Sequence, residues 1–105
     1  MKELDENNYK TELNNNISLL LLHSEFCPPC IEMKDNFEEL EKKIKNNSLS
    51  LFIINVLEFP TYEEVFSTNS TPTLILYKHG KEINKIVGLQ TVQDIQKFIL
   101  SSLSK

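Results

Sequence analysis

Ile17-Ser18-Leu19-Leu20-Leu21-Leu22-His23-Ser24-Glu25-Phe26-Cys27-Pro28-Pro29-Cys30 is the stretch on which both the fold and the chemistry turn. Its first part, Ile17 to Leu22, is broken only by Ser18 and is too apolar to alternate, so it reads as a strand covered on both faces. Pro28 and Pro29 then suit the first turn of a helix, where their missing N–H groups would have been unpaired anyway. Beyond them Met33, Phe37, Leu40 and Ile44 recur at helical spacing, which predicts a helix from Pro28 to Lys45 with one apolar stripe. Its other face carries Glu38–Lys42, Glu39–Lys43 and Glu41–Lys45, pairs in the favourable order for a solvated surface.

Upstream, Asp5 to Leu13 reads as a short helix capped by Asp5, with Tyr9 and Leu13 on one face. Downstream, Leu49 to Val56 is a second buried strand. Thr61 to Phe66 reads as a short helix in which Thr61 and Glu64 form a capping box. Thr73 to Tyr77 and Glu82 to Val87 are strands joined through Lys78, His79, Gly80 and Lys81 as a hairpin. Thr91 to Leu103 closes the chain as a helix with Val92, Ile95, Ile99 and Leu103 on one face. Helices alternating with buried strands, then a hairpin, predict an α/β fold with a mixed sheet between helices. No repeat or linker divides the chain, so residues 1–105 are expected to form a single domain.

Eleven lysines, no arginine and fifteen acidic residues give a net charge of −4. That balance speaks against nucleic acid, whose binders need clustered positive charge, and against an anionic membrane surface. The apolar run at Ile17 is far short of the ~20 residues of a spanning helix, and the first eight residues lack an apolar leader segment. A cytoplasmic protein is expected, in which the Asn-x-Ser/Thr triplets at Asn16, Asn46 and Asn69 have no role.

The chemistry concentrates at Cys27 and Cys30. A helix start presents unpaired N–H groups and the positive end of the dipole, both of which stabilise a thiolate. With Cys27 as cap, the first N–H groups past the prolines belong to Cys30 and Ile31. Cys27 is therefore expected to be the attacking thiol at the tip, and Cys30 the resolving thiol one turn behind. Zinc would need four ligands, and the only histidines, His23 and His79, lie at spacings unlike a finger or ribbon, so no metal is expected. A purely structural disulfide would close too small a loop to constrain the unfolded chain.

Ser24-Glu25-Phe26-Cys27-Pro28-Pro29-Cys30 resembles the active-site stretch of the thioredoxin family, with Phe26 where an aromatic, usually Trp, precedes the first cysteine. Ser70-Thr71-Pro72-Thr73, followed by Leu74 to Tyr77 and Lys78-His79-Gly80, resembles the family's cis-proline strand and hairpin glycine. Gly88 matches a further glycine past the last strand. The likeness runs from about Leu4 to Leu103. It implies a thioredoxin fold, with a central mixed sheet flanked by helices on both faces, and a protein-disulfide reductase. It further implies a cis Pro72 against Cys27, and substrate contacts from Phe26, Pro28, Pro29, Thr71 and Pro72. No cofactor is implied beyond the cysteine pair. The partners implied are disulfide-containing protein substrates and a thioredoxin-reductase-like electron donor, and the chain is expected to be a monomer. A glutaredoxin-like reductase fits less well, since paired glycines are absent after Pro72; a thioredoxin-fold binding subunit without turnover is the rival from another class.

Four positions depart from the family. Leu21 stands where a buried aspartate helps the second cysteine ionise, and Ile53 stands where a lysine accompanies it. Losing both together is self-consistent, because one buried charge alone would be costly. Asp35 replaces a helix proline. His23 lies where a second Trp is common; it is read as a packed, hydrogen-bonded histidine, with proton shuttling near Cys27 as the lesser reading. Glu25 is read as a solvated carboxylate and His79 as a turn residue.

Overall fold

A computed structural model describes residues 1–44 and 48–104. The strands are β1 (Lys2–Glu3), β2 (Ile17–His23), β3 (Leu49–Asn55), β4 (Thr73–Lys78) and β5 (Lys81–Val87). The helices are α1 (Tyr9–Leu13), α2 (Pro28–Lys43), α3 (Tyr62–Phe66) and α4 (Val92–Leu103). The strands form one sheet in the order β1-β3-β2-β4-β5. β1 and β2 both run parallel to β3, the crossover from β2 being made by α2, whereas β4 is antiparallel to β2 and to β5. The sheet is mixed, as expected.

Strand side chains alternate between faces, and this sheet buries both. Leu19, Leu21, Leu51, Ile53, Leu74 and Leu76 join Met33, Phe37 and Leu40 of α2 and Val92, Ile95, Phe98 and Ile99 of α4. Leu20, Leu22, Phe52, Ile54, Ile75 and Tyr77 join Leu13 of α1, Phe66 of α3 and the loop residue Phe59. The leucine run of β2 thus feeds two cores at once, which is why it shows no polar alternation.

The hairpin between β4 and β5 turns on His79 and Gly80, both at positive φ (52° and 82°), as a two-residue loop requires. His79 donates its N–H to Asn16 O at 2.9 Å, tying the turn to the entry of β2. Thr91 caps α4 by accepting from Asp94 N at 3.0 Å.

Several boundaries differ from the sequence expectation. Asp5 Oδ1 accepts from the N–H groups of Asn7 and Asn8, so it closes a turn, and α1 begins four residues later at Tyr9. The capping box at Thr61 and Glu64 does not form: the Thr61 hydroxyl donates to Glu6 Oε2 at 2.9 Å, and Glu64 N–H goes to the Thr61 carbonyl. α2 ends at Lys43 because Ile44 turns extended (φ −80°, ψ 123°), and it runs through Asp35 unbroken. Lys45, and the triplet at Asn46, lie outside the described residues; Glu41 pairs with the Met1 ammonium. Leu103 sits on the rim, while Phe98 takes the expected apolar place in the core. β1 and a single 3-10 turn at Val56–Glu58 were not foreseen.

Candidate active site

Cys27 is the N-cap of α2, in extended backbone (φ −124°, ψ 99°), with Pro28 and Pro29 opening the helix. It is half-buried, the prolines are exposed, and Cys30 is buried. The two cysteines are joined by a disulfide, with their Cα atoms 5.2 Å apart. Because the prolines have no N–H, the first helical donor is Cys30 N–H, and it bonds to the Cys27 carbonyl at 2.9 Å. One of the two donors expected to face the Cys27 sulfur is therefore occupied by backbone. The first turn contains no acidic residue, so the positive helix end is uncompensated there.

Thr71, ahead of Pro72, lies against this pair. The Thr71–Pro72 peptide is cis, and Cys27 Sγ stands 3.5 Å from Thr71 O. As a disulfide sulfur it has no proton to donate; a reduced thiol at the same place would have one. Gly88 N–H donates to Pro72 O at 2.8 Å and the Thr73 hydroxyl to Ser70 O at 2.7 Å, which anchors both sides of the bend. Among the described residues, no backbone group takes the N–H or C=O of Thr71.

Exposed apolar side chains adjoin the cysteines in sequence and flank Gly88, whose N–H reaches Pro72 O. Phe26 is 84% exposed, far beyond what a packed aromatic shows. Ile31 in the first turn of α2, and Val87 and Leu89 flanking Gly88, are exposed as well. These last three were missed in the sequence, although their places beside Cys30 and Gly88 would have pointed to them. Asn36 Nδ2 donates to Gln90 O at 2.9 Å and holds the Gly88–Gln90 segment against α2.

An open cleft of about 540 Å³ reaches the other side of Cys30 and is lined also by His23, Lys34, Ile53, Asn55 and Glu58. Here the reading of His23 as a hydrogen-bonded core residue is corrected. The ring is buried, but its Nε2 has no hydrogen-bond partner among the described residues. Burial, and next the Lys34 ammonium, hold its pKa below the ordinary 6.5, with Glu25 and Glu58 acting in the opposite direction. Leu21 is fully buried and is the Cα partner of Ile53, so the two apolar replacements are neighbours across β2 and β3. Glu25 is exposed and His79 stays in its turn. Among the described residues no group of three or more His, Cys, Asp or Glu is placed to hold a metal. No helix among them is long and apolar enough to cross a membrane.

A dithiol–disulfide couple at a helix start is built to exchange with other disulfides, and a chain organised around it is a thiol–disulfide oxidoreductase. The family model described as Thioredoxin matches residues 1–101, and the chain belongs to the thioredoxin family. It is similar to the thioredoxin of Chlamydia caviae, 28% identical over 99 residues that cover 94% of this chain and 95% of the relative. It is also similar to the thioredoxin of Buchnera aphidicola, 26% identical with 92% and 91% covered. Among solved structures, that of the Malassezia sympodialis thioredoxin superposes with a TM-score of 0.83 over 97% of this chain and 90% of the other. At 15% identity that likeness speaks for the fold alone, which is the thioredoxin fold.

Proposed function

We propose that residues 1–105 act as a single, monomeric domain that reduces disulfides in protein substrates through the Cys27-Pro28-Pro29-Cys30 site, with Cys27 as nucleophile and Cys30 as resolving thiol. The observation that carries this reading is the asymmetry of the pair: Cys27 is half-buried at the helix start, while Cys30 is 2% exposed one turn behind it. Only Cys27 is open to attack a substrate. Its thiolate attacks one sulfur of the substrate disulfide, the substrate S–S bond breaks, and a mixed disulfide forms. Cys30 then attacks Cys27 Sγ, the substrate leaves as a dithiol, and two electrons have passed to it. The protein is left with the Cys27–Cys30 disulfide.

Phe26, Pro28 and Pro29 present the apolar platform for the substrate, and the backbone of Thr71, ahead of Pro72 and taken by no other backbone group among the described residues, pairs with its extended chain. A thioredoxin-reductase-like donor returns the electrons, without a cofactor in this chain. The working compartment is the cytoplasm, where the net direction is reduction and the chain serves electron transport and redox homeostasis. The acidic balance, with no arginine, leaves nucleic acid and membranes outside this role. The test is covalent trapping. Cys30→Ser should accumulate mixed disulfides with protein substrates and Cys27→Ser none; equal adduct yields in both variants would reverse or abolish the assignment. Binding without any disulfide turnover by the unaltered chain would favour a binding subunit.

A further inference from the structure

Resolution requires the Cys30 thiol to lose its proton, and the core gives that proton nowhere to go. Leu21 and Ile53 are both apolar, and the rest of their cluster on that face of the sheet is apolar too. Two residues along β2 from Leu21, and therefore on the same face of the strand, is His23. It lines the cleft that Cys30 also lines. His23 is 8% exposed, and its Nε2 is enclosed and unpartnered among the described residues, so no hydrogen bond there fixes the position of the ring's proton.

We propose that His23 is the proton acceptor for Cys30 in the resolving step, the proton crossing the cleft from Cys30 Sγ to the His23 imidazole. The inference rests on the roles proposed above for Cys27 and Cys30. In the mixed disulfide, the neutral imidazole takes the Cys30 proton across the cleft that both residues line. The Cys30 thiolate attacks Cys27 Sγ, the bond from Cys27 to the substrate sulfur breaks, and the substrate leaves as a thiolate. The imidazolium gives its proton to that thiolate or to solvent, so the ring is neutral again for the next turnover.

The surroundings suit this task. Burial, and next the Lys34 ammonium of α2, lower the ring's pKa and so favour the neutral ring near pH 7. Glu25 from the loop after β2 and Glu58 from the 3-10 turn limit that lowering. Asp35 and Glu38 of α2 and Glu3 of β1 complete the charged lining. Glu58 is engaged by Asn55 Nδ2 at 3.2 Å. An imidazole is also the better acceptor of a thiol proton near neutrality than a solvated carboxylate, whose basicity is too low.

The experiment is single-turnover reaction of the reduced protein with excess dithiobis-nitrobenzoate, which releases one coloured thiolate when Cys27 attacks and a second when Cys30 resolves. For the unaltered protein the second phase should hold its rate down to pH 6.5 and fall only below it. For His23→Gln it should fall tenfold per pH unit below the unassisted thiol pKa of about 8.5, a loss of roughly 10²-fold at pH 6.5. The first phase should not change. Imidazole added to His23→Ala should restore the second phase. Lys34→Met should move the acid limb of the second phase to higher pH by raising the His23 pKa. Superimposable second-phase profiles for the unaltered protein and His23→Gln, or a slowing equal at every pH, would overturn the proposal. If the His23 variants fail to fold, an acid limb unmoved by Lys34→Met overturns it equally. Failure of the unaltered protein to give any first phase would instead refute Cys27 as the nucleophile.

Discussion

Replacing Leu21 by aspartate tests whether the acid position of the family has truly become core. Leu21 has no exposed surface, sits in the central strand β2, and has Ile53 and Leu74 as its Cα partners on either side. Losing the buried leucine side chain removes about 2–3 kcal/mol of apolar transfer energy. A protonated carboxyl without a partner adds about 1–3 kcal/mol of polar burial. These two costs apply at every pH. Ionisation adds a third: the folded state holds the introduced carboxyl neutral, so its folded pKa lies above the unfolded value of about 3.9. The stability difference from the unaltered protein is then smallest below pH 4 and grows by about 1.4 kcal/mol per pH unit until the folded pKa is reached. With a folded pKa near or above 7, the ionisation cost at neutral pH is about 4 kcal/mol. The sum is comparable with the whole stability of a small domain, about 5–15 kcal/mol. Urea unfolding of both proteins at pH 4 and pH 7 measures the two differences. Adding Ile53→Lys should recover part of the loss at pH 7 and none at pH 4, since an ammonium helps only an ionised partner. A single variant within about 1 kcal/mol of the unaltered protein at pH 7, or a loss that does not deepen with pH, would mean that residue 21 does not face this core.

Two further outcomes follow from the same structure. Because the folded pKa of His23 lies below 6.5, its contribution to stability is complete above pH 6.5 and is lost as pH falls toward the folded pKa; urea unfolding should show the unaltered protein losing up to about 1.4 kcal/mol per pH unit relative to His23→Gln in that window, and parallel curves would contradict the shift. Gly80→Ala should cost about 1–2 kcal/mol in the same assay, because φ is +82° and a Cβ there would stand 3.0 Å from Asn14 Oδ1; an unchanged midpoint would show that the hairpin relaxes freely.

The fold was legible wherever a pattern ran for more than a turn or two. The leucine run of β2 and the stripe Met33, Phe37, Leu40 each state a period, and each meets its expected core. β1 could not be read, because two residues have no period and the strand exists only through its pairing with Phe52 and Ile53. The 3-10 turn was hidden for a related reason: it is set by one side chain, Asn55 Oδ1 accepting from Leu57 N. At the site, the cysteine pair and its placement on a helix start were visible directly. The closeness of Thr71 to Cys27 spans 44 residues and was reached only through the family resemblance. The cleft was beyond reach, since it is assembled from β1, β2, the loop after it, α2, β3 and the 3-10 turn.

The displacement of an ionisable group from residue 21 to residue 23 has a physical logic of its own. A carboxylate at residue 21 would be enclosed by the α2 and α4 cluster and would need a buried cation, which Ile53 cannot supply. A neutral imidazole two residues nearer the strand end has about 6–7 Å of strand between it and that cluster. It abuts a cleft open to water and faces Asn55 of β3 as its Cα partner in place of a hydrocarbon side chain. Neutral burial beside water costs far less than charge burial in hydrocarbon, and the ring carries a charge only in the interval between taking the Cys30 proton and releasing it. The Leu21–Ile53 pair can then be given wholly to packing, with β2 bonded to a neighbour along both edges. Stability and proton transfer, which one buried acid would set against each other, are assigned to different residues of the same strand.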